Sequence, residues 1–226
     1  MASLRIAEIF TSIQGEGIWL GQPSTFIRVS GCNLRCIWCD TPYASWNPEG
    51  QVMSIDTILS YDKVEHIVLT GGEPMLFDAS VELCLKLRDR GHNITIETAG
   101  TIFRELPCDL MSISPKLTNS DPIGDAWLKR HQETRANRQP IKDLAAHYHC
   151  QFKFVVNPEA ALEQQLSEID EVLSPLESPT VLLMAEGTDA ETLARRERLL
   201  APVCVERNWR LSPRYHVTLF GNSRGT

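Results

Sequence analysis

The sequence predicts an α/β fold in which parallel strands form an incomplete, TIM-like βα barrel. Short β-rich runs alternate with amphipathic stretches, which is typical of parallel strands joined by crossover helices. These runs number about seven, too few for the closed eight-stranded barrel. Glycine, cysteine and charged residues follow the carboxyl ends of several runs, where a parallel barrel places its site. Because no linker or low-complexity segment interrupts residues 1–226, we predict one domain.

The predicted elements follow the strand–helix alternation along the chain. The first strand covers residues 25–30, and a loop rich in Cys, Trp and Pro runs from 31 to 50. The later strands are predicted at 65–70, 93–98, 109–113, 151–156, 180–185 and 209–212, with a further edge strand at 215–220. Helices are predicted at 54–61, 78–90, 140–149, 158–173 and 189–208, with Ser54, Asp78 and Asp189 as N-caps. The second of these helices is expected to be largely buried, and the polar segment 117–139 is predicted to be a loop or lid.

Composition excludes several classes of protein. The chain has 22 Lys and Arg against 29 Asp and Glu, a net charge of −7, and no lysine-rich run, so direct binding to nucleic acid is not expected. Its apolar runs fall well short of the roughly 18 residues that a membrane span needs. The first residues lack the sustained apolar stretch of a signal peptide. We therefore expect a cytoplasmic protein without a membrane partner.

Three of the seven cysteines lie within eight residues, at Cys32, Cys36 and Cys39. A structural zinc site needs four ligands, usually as two separated pairs, and no second pair is present. Three thiolates in one tight turn instead suit an iron–sulfur cluster with one iron left open for another ligand. A zinc site completed by Asp40 or a remote histidine is the alternative. The other four cysteines are expected to be small buried hydrophobes: Cys84, Cys108, Cys150 and Cys204.

The spacing Cys-x3-Cys-x2-Cys, together with Gly71-Gly72-Glu73-Pro74 after the second predicted strand, resembles the radical S-adenosylmethionine (SAM) superfamily. The resemblance implies a partial barrel of the radical SAM type, with a cluster-binding loop near 31–50. It also implies a [4Fe-4S] cluster whose open iron binds SAM, and reductive cleavage of SAM to a 5′-deoxyadenosyl radical. The two glycines would let the backbone approach the ligand closely, and Glu73 would accept a hydrogen bond from the SAM ammonium.

Five further segments, 13–17, 26–28, 39–41, 97–100 and 114–116, are similar to the 7-carboxy-7-deazaguanine synthase family. That family converts 6-carboxy-5,6,7,8-tetrahydropterin into 7-carboxy-7-deazaguanine with loss of ammonia, on the route to queuosine. The resemblance implies a homodimer, a Mg2+ requirement and an electron donor such as flavodoxin. The sequence departs from the family pattern at Ala99, in the turn at 184–187, and in the long tail at 211–226.

The resemblance also assigns site residues. Those for the cluster are Cys32, Cys36 and Cys39, and Thr41 is implied as a Mg2+ ligand. Those for the pterin are Ile13, Gln14, Gly15, Glu16, Arg28 and Thr98. Those for SAM are Ile37, Trp38, Cys39, Glu73, Gly100, Ser114, Pro115, Lys116, Met184, Ala185, Glu186 and Gly187.

Two other functions remain as alternatives. A glycyl-radical-enzyme activase shares the cysteine spacing but acts on a protein chain, so it predicts an exposed docking face and no small-molecule pocket. Gln14, Glu16 and Arg28 argue against it, although a surface ion pair is the alternative for Arg28. A non-catalytic zinc or iron–sulfur module predicts four saturating ligands and no cleavage of SAM.

Overall fold

The computed structural model describes residues 2–124 and 126–226, which form one nine-stranded sheet flanked by helices. The strands are β1 (Ser3–Ile13), β2 (Pro23–Val29), β3 (Gln51–Ser54), β4 (His66–Gly71), β5 (Asn93–Thr98), β6 (Leu110–Ile113), β7 (Cys150–Val156), β8 (Thr180–Ala185) and β9 (Arg210–Leu211). The helices are α1 (Ile55–Ile58), α2 (Ala79–Asp89), α3 (Leu128–Ala136), α4 (Gln139–His147), α5 (Leu162–Leu173), α6 (Ala190–Arg207) and α7 (Tyr215–Phe220).

The sheet has the order β3-β1-β2-β4-β5-β6-β7-β8-β9 and does not close. From β2 to β9 all neighbours are parallel, whereas β1 pairs antiparallel with both β2 and β3. The predicted incomplete barrel is therefore confirmed, with an antiparallel edge added to it. No helix in the described part of the chain is both long enough and apolar enough to cross a membrane.

Alternation along the parallel strands separates the core from the barrel interior. In β4, Ile67 and Leu69 join the hydrophobic core under the helices, and Ile94 and Ile96 do the same in β5. Successive side chains of a strand point to opposite faces. The residues between them therefore face the interior, and many are polar. The interior-facing residues that line a cavity at the carboxyl ends of the strands are Phe26, Arg28, Thr70, Glu97, Ser112, Lys153, Val155 and Met184.

Several predicted elements are corrected by the structure. The two antiparallel strands β1 and β3 were not expected, so the cysteine loop follows the second strand of the chain and not the first. The tail at 215–220 is the helix α7 and not an edge strand. Pro213 ends the short β9, and the carbonyl of Arg214 accepts hydrogen bonds from the next turn, which packs Val217 into the core.

Three helices also differ from expectation. The segment 117–139 contains the helix α3 with a fully buried His131, although residue 125 lies outside the described residues. The helix predicted from 158 begins only at Leu162, because residues 157–160 form a turn and Ala161 adopts a left-handed conformation at φ 48°. The helix α2 is less buried than predicted, since Leu85 is half exposed.

Helix capping was predicted correctly at two of three positions. The Ser54 side chain accepts a hydrogen bond from the Thr57 N–H, and the Asp189 side chain accepts one from the Thr192 N–H. Asp78 precedes α2 without capping it, and its carboxylate pairs with Arg104 instead.

Gly72 joins the turn after β4 to the loop after β2 by close backbone contact. Its N–H donates to the Val29 carbonyl at 3.0 Å, and the next N–H, of Glu73, donates to the Gly31 carbonyl at 2.9 Å. A Cβ on Gly72 would lie 2.1 Å from that same Gly31 oxygen. Backbone cannot yield as a flexible side chain does, so only glycine fits here.

We therefore expect Gly72→Ala to lower the free energy of unfolding by about 3 kcal/mol, the upper end of the usual overpacking cost. Urea unfolding monitored by circular dichroism measures it. Gly21→Ala is the control, because nothing lies within 4 Å of a Cβ there and only the φ of +90° opposes it, at about 1 kcal/mol. Equal losses in the two variants would contradict the close-contact explanation.

Candidate active site

A cavity of about 450 Å³ opens at the carboxyl ends of the parallel strands. Its size suits a small organic ligand. Residues from the loop after β1, the cysteine loop, the strand ends and the tail all line it. The predicted site residues that it brings together are Ile13, Gln14, Gly15, Glu16, Arg28, Cys32, Cys36, Trp38, Cys39, Thr41, Thr98, Ser114, Lys116 and Met184.

The remaining predicted SAM contacts do not line the cavity: Ile37, Glu73, Gly100, Pro115, Ala185, Glu186 and Gly187. The Ile37 side chain is half exposed and its N–H donates to the Ser120 carbonyl at 3.0 Å. The Glu186 carboxylate lies 3.4 Å from the Arg196 guanidinium. The roles of these seven residues toward SAM stay predictions.

The three clustered cysteines share the wall of the cavity. Burial raises the pKa of Cys32 to about 12 and that of Cys36 to about 11, so these thiols need a bound cation to ionise. The Leu34 N–H points to Cys32 Sγ at 3.4 Å, and the Ser45 hydroxyl lies 3.1 Å from Cys39 Sγ. Three thiol donors with hydrogen bonds to sulfur fit an iron–sulfur cluster. Of the four cysteines elsewhere, Cys84 and Cys204 are buried as predicted, whereas Cys108 and Cys150 are partly exposed.

Side chains that do not line the cavity hydrogen-bond to the cysteine loop or pack on it. The Arg35 N–H donates to His131 Nδ1 at 3.0 Å, and the Trp46 indole N–H donates to the Cys36 carbonyl at 2.9 Å. The Arg35 guanidinium also lies 4.1 Å from the centre of the Trp127 ring. The segment around α3, predicted as a lid, thus supports the outer side of this loop.

Glu73 is a fully buried carboxylate that ties two turns together. It accepts hydrogen bonds from the Met75 N–H at 3.1 Å, the Thr98 hydroxyl at 2.8 Å and the Ala99 N–H at 2.8 Å. Burial raises its pKa. The Thr98 hydroxyl in turn accepts from the Gly100 N–H at 3.0 Å. Glu73 therefore fixes the turn after β5 against the turn after β4, directly beneath the cavity wall.

On one side of the cavity, Arg28 forms an ion pair with a carboxylate that the sequence did not reveal. Arg28 Nε donates to Glu8 Oε1 at 2.6 Å, and the Tyr43 hydroxyl donates to the same oxygen at 2.7 Å. Among the described residues, Arg28 donates a side-chain hydrogen bond through Nε alone. Its two terminal nitrogens can therefore bind a carboxylate in bidentate geometry. Glu8 lies on β1, the strand that the sequence did not reveal.

The cavity floor carries the ionic network of Glu16, Lys153, Arg214 and Asp40. The Glu16 carboxylate pairs with both Lys153 and Arg214, and Arg214 pairs with Asp40. Burial alone would raise the pKa of Glu16, but the two cations hold it well below its usual range. Lys153 is the only charged residue of the strand Cys150–Val156, a sequence signal that could have identified it.

The tail closes the outer side of the cavity. His216 packs so closely on Gly15 that a Cβ there would lie 2.3 Å from His216 Nδ1, and burial lowers the pKa of His216. Residues 222–226 line the cavity. The Arg224 guanidinium lies 3.5 Å from the centre of the Tyr43 ring and 3.0 Å from the Glu49 carboxylate. The tail, which departs from the family pattern, thus belongs to the site.

A partial parallel barrel that gathers three cysteines and a glycine-rich turn at its carboxyl end defines a radical SAM enzyme. Residues 26–172 match the family model of the radical SAM superfamily, and the chain belongs to that superfamily. Within it, the chain belongs to the 7-carboxy-7-deazaguanine synthase family, which comprises lyases.

Two relatives show the narrower membership. The chain is 41% identical over 243 residues to the 7-carboxy-7-deazaguanine synthase of Halobacterium salinarum, covering 99% of this chain and 93% of the relative. It is 44% identical over 234 residues to that of Rhodopirellula baltica, covering 100% and 90%. In both cases the alignment spans nearly the whole of each protein, so the resemblance is not confined to the cysteine loop.

Two solved structures share the fold, and the first also agrees with the family assignment. The crystal structure of QueE from Escherichia coli superposes with a TM-score of 0.69 at 26% identity, covering 95% of each chain. SuiB from Streptococcus suis, whose structure was solved with bound S-adenosylmethionine, gives a TM-score of 0.54 at 14% identity. It covers 80% of this chain and 48% of SuiB, and shares the fold alone.

The buried His131 makes the stability of the cysteine loop depend on pH. Burial lowers its pKa from 6.5 to about 4, so between these values the unfolded chain binds a proton that the folded chain rejects. Stability is therefore full above about pH 6.5 and falls with decreasing pH. We expect a loss on the order of 2 kcal/mol between pH 7.5 and pH 5, measured by urea unfolding of the metal-free protein.

His131→Asn keeps an acceptor for the Arg35 N–H but cannot titrate, so most of this loss should disappear. His149→Asn, at an exposed position, serves as the control and should retain the wild-type pH dependence. An unchanged loss in His131→Asn would contradict the assignment of the proton to His131.

Proposed function

We propose that the cavity converts 6-carboxy-5,6,7,8-tetrahydropterin into 7-carboxy-7-deazaguanine with loss of ammonia. The observation that carries the proposal is the shared cavity: the three thiols line the same space as Gln14, Glu16 and Arg28. A concave cavity of about 450 Å³ favours a small-molecule substrate over the protein chain that a glycyl-radical-enzyme activase would need.

The proposed pterin contacts follow from the chemistry of the cavity walls. The two terminal nitrogens of Arg28 match a carboxylate in bidentate geometry, while Glu8 fixes the guanidinium from behind. Gln14 and the ionised Glu16 offer acceptors to the N–H groups of the ring, with Ile13, Gly15 and Thr98 lining it. The ring and its carboxylate would thus be recognised by separate sides of the cavity.

The proposed cofactors are a [4Fe-4S] cluster held by Cys32, Cys36 and Cys39, and SAM beside it. Together they would supply reductive cleavage to a 5′-deoxyadenosyl radical able to remove hydrogen from substrate C6. Trp38, Ser114, Lys116 and Met184 border this side of the cavity, and the Lys116 ammonium lies 5.2 Å from the centre of the Trp38 ring. The chain's own contribution is to orient both ligands and exclude water.

We further propose a Mg2+ ion, held in part by Thr41, whose hydroxyl lines the cavity next to the cysteines. A neutral hard oxygen ligand leaves the ion room for waters and for substrate oxygens. Family resemblance also supports a homodimer, a cytoplasmic location and an electron donor such as flavodoxin.

The decisive experiment is anaerobic reconstitution of the cluster, followed by addition of dithionite, SAM and 6-carboxytetrahydropterin. We expect both 5′-deoxyadenosine and 7-carboxy-7-deazaguanine, measured by liquid chromatography with mass spectrometry. Cys36→Ala should abolish both, and Cys84→Ala, outside the site, is the matched control that should retain them. SAM cleavage without the deazapurine would reject the substrate, and turnover by Cys36→Ala would reject the cluster.

Arg28→Lys should raise the KM for 6-carboxytetrahydropterin about 10-fold or more, because an ammonium cannot form the two parallel hydrogen bonds of the guanidinium. Steady-state kinetics measures the change. Inhibition by a tetrahydropterin without the 6-carboxylate should be the same in the variant and the wild type. If the variant weakens the binding of both ligands equally, Arg28 does not recognise the 6-carboxylate.

A further inference from the structure

Lys153 is a buried ammonium between two carboxylates on the cavity floor. It lies in the middle of β7 and its side chain is 6% exposed. It forms an ion pair with Glu16 on one side, and its Nζ lies 3.8 Å from Glu97 Oε1 on the other. Neither the family resemblance nor the motifs assign a role to Lys153 or Glu97.

The side-chain amide of Gln14 links the Glu97 carboxylate to the backbone of Glu16. Gln14 Nε2 donates to Glu97 Oε1 at 3.4 Å, and Gln14 Oε1 accepts from the Glu16 N–H at 3.2 Å. The other Glu97 oxygen accepts from the Thr70 hydroxyl at 2.9 Å. Glu16, Glu97 and Gln14 therefore form one hydrogen-bonded cluster around the ammonium, and all three line the cavity.

A buried carboxylate without a cation partner is strongly disfavoured in its charged form. Glu16 retains a second cation, Arg214, but that guanidinium also pairs with Asp40. Among the described residues, Lys153 is the cation that forms an ion pair with Glu97. Removing the ammonium would take away the ion-pair partner of Glu97 and leave Glu16 to share Arg214 with Asp40.

We propose that Lys153 is a positioning residue that holds Glu16 and Glu97 as an acceptor-rich edge for the 2-amino-4-oxo ring of the pterin. The inference rests on the proposed function and deepens it. Such an edge accepts hydrogen bonds from the N–H and amino groups of the ring. A ring with oxygen in place of the 2-amino group would place one hydrogen-bond acceptor against another. Lys153 acts through the carboxylates and does not itself touch the reacting carbon.

The test uses Lys153→Met, which keeps an unbranched side chain only one heavy atom shorter and removes its charge. Binding of 6-carboxypterin, the fluorescent oxidised form of the ring, is measured on the protein without cluster by fluorescence quenching. We expect its Kd, and the KM of the tetrahydropterin in the reconstituted enzyme, to rise about 10- to 100-fold. Substrate-independent formation of 5′-deoxyadenosine should stay within about 2-fold.

Two comparisons separate positioning from general damage to the fold. Lys153→Arg restores the charge and should recover most of the affinity, and the exposed Lys63→Met should behave as wild type. In the background of Glu16→Gln, adding Lys153→Met should raise the Kd for 6-carboxypterin by a much smaller factor than Lys153→Met alone does, because residue 16 is already neutral. Additive losses, or no recovery with arginine, would overturn the proposal.

The discrimination between rings gives an independent measurement. The wild type should bind 6-carboxypterin more tightly than 6-carboxylumazine, which carries oxygen at position 2, and Lys153→Met should reduce that ratio. An unchanged ratio would overturn the role of Lys153 while leaving the proposed function intact. If the reconstituted wild type forms no 7-carboxy-7-deazaguanine, the proposed function fails instead, whatever Lys153 does.

Discussion

The whole site depends on one geometric constraint, the alternation of side chains along parallel strands that curve into a partial barrel. On the outer face the strands carry Ile, Leu, Val and Phe against the helices. On the inner face they carry Arg28, Glu97 and Lys153 into a shared space. Shifting one of these strands by one residue would bury a charge among the helices and expose an apolar residue to the ligand. The packing of the core and the polarity of the cavity are therefore set by the same register.

The sequence predicted the elements that have strong local signals. The bounds of β5 are those expected, and Ser54 and Asp189 cap the helices that they were assigned to. The antiparallel β1 was missed because it begins the chain and mixes charged and apolar positions without clear punctuation. The segment 215–220 was mistaken for a strand because apolar Tyr215, Val217 and Leu219 alternate with polar residues, as in a strand. In the structure it is a helix that packs Val217 on the core.

Site prediction shows the same division between local and distant information. Residues within motifs, such as Cys32, Cys36 and Gln14, line the cavity, since a motif is a local signal. The ion-pair partners of Arg28 and Glu16, which are Glu8 and Lys153, lie on other strands. Sheet order brings these partners together, and spacing along the sequence does not reveal it. Glu73 is an instructive intermediate case. Its motif identified an important carboxylate, but three hydrogen bonds from Met75, Thr98 and Ala99 place it in the supporting layer under the cavity.

The contacts that hold the cysteine loop have a consequence for how the proposed cluster would be bound. The bonds from Arg35 to His131, from Ile37 to Ser120 and from Trp46 to Cys36 use backbone and ring groups, and no sulfur takes part in them. Folding of the chain therefore accounts for much of the conformational entropy that the loop loses, and binding of the proposed cluster would not have to supply that order. A small zinc finger differs, because its chain orders only around the metal. Here the backbone of the cysteine loop is fixed by protein contacts, so the proposed cluster would add to the order of the loop without creating it.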